Sequence, residues 1–196
     1  WLTLSAESGL GIAQIELGSI GYNKGDEASL KKARKWFTLA AEQGNPYGQG
    51  IMGYLYDTGS LFEENINEAI KWYELAANQN VITAQARLGT IYWLNFGDLQ
   101  TGKKWLLLAA EAGDLESQQN LGRLYIYLAD YENSKKWLKK ASMQIEPDED
   151  HSFLYFSLGL LNFELSDFKE AEKMYLKALS LYMKRVPESI EVVRSL

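Results

Sequence analysis

Apolar residues recur along this chain at helical spacing, in stretches that resemble one another. Lys35-Trp36-Phe37-Thr38-Leu39-Ala40-Ala41-Glu42-Gln43-Gly44 returns as Lys71-Trp72-Tyr73-Glu74-Leu75-Ala76-Ala77-Asn78-Gln79-Asn80. It returns again as Lys104-Trp105-Leu106-Leu107-Leu108-Ala109-Ala110-Glu111-Ala112-Gly113. Weaker copies stand at 136–142 and 174–179, and the chain opens inside another at Trp1-Leu2-Thr3-Leu4-Ser5-Ala6. A second signature precedes each full copy: a small residue, usually Gln, two variable residues, Leu or Met, then Gly. Its glycines are Gly18, Gly53, Gly89, Gly122 and Gly159, separated by steps of 35, 36, 33 and 37 residues. Self-similarity at such a period signals a repeat architecture, here of two helices per repeat. No segment alternates apolar and polar residues with period two, so no strand is predicted.

Turn residues punctuate the pattern. Asp26 is placed to cap a helix through Glu42, and Gly44-Asn45-Pro46 stops one helix and starts the next. Leu61-Phe62-Glu63-Glu64 reads as an insertion, Pro147-Asp148-Glu149-Asp150 as an acidic linker, and Pro187 breaks the last hairpin. The expected organisation is a single array over 1–196, with repeats near 10–44, 45–80, 81–113, 114–142 and 151–184. Residues 1–9 end a truncated repeat, and 185–196 form a C-terminal cap. The signature glycine lets two helices of a hairpin approach closely. The Trp is expected to set a large ring beside the paired alanines, so that Trp72→Ala costs about 3–5 kcal/mol. A single hairpin cannot bury its apolar face, whereas stacked neighbours can.

Charge narrows the functions. The formal net charge is −6, which argues against sequence-independent nucleic-acid binding. Residues 81–142 carry 8 basic and 6 acidic residues between more acidic ends. The absence of cysteine removes disulfides, thiolate catalysis and Cys-ligated zinc. No run of 18 apolar residues exists to span a membrane. Because Trp1 falls within a repeat, the sequence reads as a fragment whose start, with any targeting segment, is absent.

Met52-Gly53-Tyr54-Leu55-Tyr56-Asp57-Thr58-Gly59 and Ala69-Ile70-Lys71-Trp72-Tyr73-Glu74-Leu75-Ala76-Ala77 carry a resemblance to the Sel-like repeats, relatives of the tetratricopeptide repeat. The fifth repeat, with Tyr155, Leu158, Gly159, Ala171, Tyr175 and Ala178, is more similar to a tetratricopeptide repeat itself. The resemblance implies an all-α solenoid, a right-handed superhelix of about five antiparallel helix pairs, with first helices on a concave face. It implies a non-enzymatic adaptor for proteins or peptides, without cofactor or metal, in a soluble bacterial protein of cytoplasm or periplasm. An immunity protein that neutralises a secreted toxin is an alternative, weakly favoured by the acidic ends. A cell-wall or β-lactam-active enzyme is a third reading, opposed by the missing cysteines and the lack of a paired-carboxylate pocket.

Gly48-Gln49-Gly50-Ile51-Met52-Gly53 is formally GxGxxG, but no strand precedes it and it aligns with the sibling signatures, so it reads as repeat packing. The single histidine, His151, follows the acidic linker and reads as part of a solvated segment. On the first helices, positions three before, one after and four after the signature glycine are expected to face inward. They hold Ile15, Ser19, Tyr22; Gly50, Tyr54, Asp57; Ala86, Thr90, Trp93; Gln119, Arg123, Ile126; and Phe156, Leu160, Phe163. Tyr, Trp and Arg anchor interfaces. The candidate binding residues are therefore Tyr22, Tyr54, Asp57, Trp93, Gln119 and Arg123, with Tyr47 and Tyr127 at the edges of the same surface.

Overall fold

The computed structural model describes residues 1–145 and 151–185, and among these the chain is eleven α-helices with no strand. The acidic linker, 147–150, and the expected cap, from 186 onward, lie outside the described residues. Contacts divide the chain into two compact units, Trp1–Gly97 and Asp98–Leu196. The first unit holds α1 (Leu2–Glu7), α2 (Gly11–Lys24), α3 (Glu27–Glu42), α4 (Pro46–Thr58), α5 (Ile66–Ala77) and α6 (Ile82–Leu94). The second holds α7 (Leu99–Glu111), α8 (Leu115–Tyr127), α9 (Tyr131–Ser142), α10 (Ser152–Glu164) and α11 (Phe168–Arg185).

Side chains of polar residues start most of these helices, while α1, α2, α6 and α10 have no side-chain cap. Asp26 accepts from the Ser29 amide at 3.0 Å and Asn65 from the Asn67 and Glu68 amides at 3.1 Å, while Asn45 accepts from Tyr47 and Gly48 at 3.0 Å. In the second unit Asp98, Asp114 and Asp130 cap α7, α8 and α9 in the same way. Each satisfies amide donors that a helix N-terminus leaves open. Left-handed residues end the first helix of most hairpins. Gly25 and Gly59 take this role, but Ala129 (φ 55°) and Ser166 (φ 63°) adopt the same conformation with a Cβ attached.

Packing within a hairpin rests on the signature glycine. A Cβ on Gly18 would lie 2.5 Å from the Phe37 ring, and one on Gly53 would lie 2.5 Å from the Tyr73 ring. Gly122 faces Leu138 at 2.6 Å and Gly159 faces Tyr175 at 2.6 Å in the same sense. In the first three of these pairs the side chain that fills the contact is the residue after the tryptophan: Phe37, Tyr73 and Leu138, all buried. Trp36 and Trp72 are only half-buried, although Trp105 and Trp137 are buried. This corrects the expectation that Trp72 is the main pillar of its repeat: its neighbour Tyr73 points at the glycine and Trp72 flanks the core.

Between repeats, the signature glutamine provides the link. Gln14, Gln49, Gln85 and Gln118 are buried, and each Nε2 donates to the carbonyl of the residue eight before it: Ala6, Ala41, Ala77 and Ala110, at 3.0, 3.4, 3.2 and 3.2 Å. These carbonyls lie in the last turn of the preceding helix, where each already accepts the backbone N–H three residues on, and the glutamine amide gives each a second donor where water is excluded. Further glutamines extend two of the links, Gln79 to the Gln49 Oε1 and Gln144 to the Gln118 Oε1, each at 2.7 Å.

The insertion after α4 is tied down. Leu61 joins the cluster of Ala33, Phe37, Ala41, Met52 and Leu55, and Phe62 stacks on Tyr56 at 4.6 Å. Arg34 donates to the Leu61 carbonyl and places its guanidinium over Phe62. In the second unit the core gathers Ile126, Leu138, Ala141, Leu154 and Leu161. His151 is buried at the start of α10 rather than solvated, which corrects its expected setting.

Candidate functional site

In the first unit, α2, α4 and α6 leave a groove of ≈ 690 Å³ between them. Helical periodicity decides which side chains line it. Taking the signature glycine as origin, the lining positions fall six, three and two residues before it and one after it. That set is i, i+3, i+4 and i+7, one continuous face of a helix. On α4 it selects Tyr47, Gly50, Ile51 and Tyr54; on α2, Ile12, Ile15 and Glu16; on α6, Thr83 and Arg87. Tyr73 and Val81 complete the wall. Gly50 leaves the middle of the α4 face open, since a Cβ there would meet nothing closer than Val81 Cγ1 at 3.7 Å. Tyr47 and Tyr54 are 67% and 50% exposed, so both rings stand in solvent beside an apolar floor.

One polar cluster borders the groove. Asp57 Oδ2, near the end of α4, accepts from the Tyr73 hydroxyl at 3.2 Å and from Arg87 Nε at 3.1 Å. A terminal nitrogen of Arg87 also pairs with the same oxygen. Three helices, α4, α5 and α6, thereby meet at one carboxylate. Burial, and then the Asp57 charge, push the Tyr73 phenol well above its ordinary value. Burial alone would draw the Arg87 guanidinium down, but the hydrogen bonds and charge of Asp57 outweigh it and the net movement is upward. Arg87 therefore stays a cation and stays paired, with its side chain 44% exposed and that of Asp57 10% exposed.

Of the expected binding residues, the groove brings together Tyr47 and Tyr54. Asp57 lies behind it, with its carboxylate engaged by Arg87 and Tyr73 rather than offered to a partner. Tyr22 packs against the core cluster of α3 and α4, and Trp93 is half-buried and does not line the groove. The remaining three fall in the second unit, where Gln119 is 8% exposed and thus inside α8's packing rather than on an open face. Arg123 stacks its guanidinium 4.6 Å above the Phe153 ring, and burial lowers its pKa. Tyr127 stands in solvent.

The groove and the expected stripe differ by about a turn along the helices. Positions four after the glycine (Tyr22, Asp57, Trp93) turn away from the groove, and positions six and two before it (Ile12, Tyr47, Thr83; Glu16, Ile51, Arg87) turn into it. Sequence reasoning missed Glu16 and Arg87. Both sit at the same register, two before the signature glycine, which is the signal that could have found them. No group of three or more metal-ligating residues occurs among the described residues. No described helix is long and apolar enough to cross a membrane.

Comparison with known proteins places this geometry. The Sel1 repeat family matches residues 11–45, 46–81 and 82–114, and the tetratricopeptide repeat family matches 115–143 and 154–182. A putative sel1-like repeat-containing protein of Acanthamoeba polyphaga mimivirus is 32% identical over 101 residues, which is 52% of this chain and 18% of that protein. Among solved structures, a protective antigen present in uropathogenic Escherichia coli strains, displaying the same repeat fold, aligns with a TM-score of 0.76 and 29% identity. That alignment covers 90% of this chain and 40% of the antigen. A Sel1 repeat protein from Oxalobacter formigenes aligns with a TM-score of 0.68 and 24% identity, over 92% of this chain and 54% of the other. The chain thus spans little more than half the length of these relatives at most. Its three matched segments, the packed signature glycines and the amide links from one repeat to the next identify the chain as a member of the Sel1 repeat family, continued by tetratricopeptide-type repeats.

Proposed function

We propose that this chain is a non-enzymatic binding scaffold that holds a protein or peptide segment in the groove of α2, α4 and α6. Repeats of the Sel1 and tetratricopeptide type are generally interaction scaffolds. The observation that carries the finer reading is the pair Tyr47 and Tyr54. They project into solvent from one face of α4, about two turns apart, on either side of a glycine-opened apolar floor. Nothing in the packing of the unit requires two exposed rings there. Tyrosine ordered on a rigid helix gives large contact area with little side-chain entropy left to lose.

Selection of a random-peptide display library on the immobilised full chain tests the proposal. Selected peptides, remeasured by fluorescence anisotropy, should lose at least about tenfold in affinity for a Tyr47→Ala, Tyr54→Ala double variant, as expected when interface anchors are truncated. Equal binding to the double variant and the parent chain would place the working surface elsewhere.

A further inference from the structure

The groove has an electrostatic polarity that names its ligand. Two charged side chains line it, Glu16 on α2 and Arg87 on α6. They occupy equivalent positions two repeats apart, with Ile51 of α4 at the equivalent position in the repeat between them. Their situations differ. Arg87 is clamped to Asp57 through Nε and a terminal nitrogen, so its charge is already answered inside the protein. Glu16 is exposed and makes no ion pair or hydrogen bond with any described residue. Around it the unit is acidic, with seven basic and ten acidic residues in Trp1–Gly97. An anion in this groove would face one unanswered carboxylate and a guanidinium already committed. A cation would meet that carboxylate and the π-faces of two exposed tyrosines, which attract positive charge.

Resting on the binding role proposed above, we infer that the segment held in this groove is an apolar peptide carrying a lysine or arginine that pairs with Glu16. The cation docks at the α2 wall, its aliphatic stem lies along Ile12 and Ile15, and Tyr47 and Tyr54 flank it from α4. Apolar side chains of the same segment cover Ile51 and Val81. Asp57, on α4, holds Arg87 of α6 in an ion pair, so that cation is already engaged at the groove's other wall.

The experiment uses the full chain and two synthetic peptides drawn from the display selection, one bearing its selected Lys or Arg and one with that residue changed to Glu. The cationic peptide should bind the parent chain at least about tenfold tighter than its acidic twin, and the gap should narrow as salt is raised, as screening dictates. Glu16→Gln should weaken the cationic peptide roughly threefold, within the range of an exposed ion pair, and Glu16→Lys should reverse the preference between the two peptides. Glu16 is exposed, so neither change disturbs the fold, and a melting curve for each variant checks this. Peptides whose binding depends on Tyr47 and Tyr54 but ignores the charge at position 16 would overturn this inference while leaving the groove as the site. Peptides indifferent to the tyrosines would overturn the binding site itself.

Discussion

Alanine at Gly53 should invert the usual consequence of filling a glycine inside a helix. In an exposed helix interior the change stabilises by about 1 kcal/mol, because glycine is the poorer helix former. At Gly53 the new Cβ would lie 2.5, 2.7 and 2.8 Å from three atoms of the Tyr73 ring, which is itself 2% exposed and hydrogen-bonded to Asp57. A ring so held cannot swing away, so helix α4 must shift from α5. Overpacking of this kind costs about 1–3 kcal/mol, and three contacts this short place it at the upper end. The net expectation is a loss of about 1–2 kcal/mol after the propensity gain is subtracted. Gly50, one turn earlier on the same helix, is the internal control. Its nearest neighbours stand at 3.7 and 3.9 Å, so Gly50→Ala should gain up to about 1 kcal/mol. The two variants should therefore melt about 5–10 °C apart by far-UV circular dichroism, at roughly 2–4 °C per kcal/mol for a chain of this size. Adding Tyr73→Ala to Gly53→Ala should cost less than the sum of the two, since they share one contact. A Gly53→Ala variant as stable as Gly50→Ala would refute the packing argument.

Three further outcomes follow from the fold. Tyr73→Ala should cost about 3–5 kcal/mol, and the half-buried Trp72→Ala clearly less, in parallel thermal melts. Ala129→Gly should raise the melting temperature, by about 1 kcal/mol in stability, because Ala129 holds a left-handed conformation that a Cβ disfavours. Hydrogen bonds from Ser29, Thr101 and Asn133 hold the Asp26, Asp98 and Asp130 carboxyls below the ordinary value of 3.8. A depressed folded-state pKa contributes stability above the unfolded value and loses it as pH falls through the folded one. The melting temperature should thus drop as the pH is taken below about 4, and a variant with Asn at all three caps should show a shallower drop.

Much of the fold was legible because repetition multiplies a weak signal. A Trp followed by paired Ala means little once, but several copies in register with a Gly-ending signature leave little besides stacked helix pairs. The cap Asp26 and the stop and restart at Gly44-Asn45-Pro46 were readable for a local reason: they act on their own backbone. Contacts that depend on rotation about a helix axis were not. Phe37 and Tyr73, not their tryptophan neighbours, turn onto the signature glycines, and a one-residue offset along a helix is a rotation of about 100°. The same kind of ambiguity governs which side chains border the groove: Tyr54 was on the expected stripe and lines it, whereas Arg87 was not on that stripe and also lines it. Asp57 shows a different limit. Its partners Tyr73 and Arg87 come from two other helices, and no local pattern announces a carboxylate shared between them.

If the exposed tyrosine face of α4 is the working surface, affinity measured across a matched set of variants shows it. For a display-selected peptide, Tyr47→Ala and Tyr54→Ala should each weaken binding several-fold and together at least about tenfold, while Tyr127→Ala, equally exposed but in the second unit, should leave it unchanged. Loss of binding with Tyr127→Ala, and none with Tyr47→Ala or Tyr54→Ala, would contradict it.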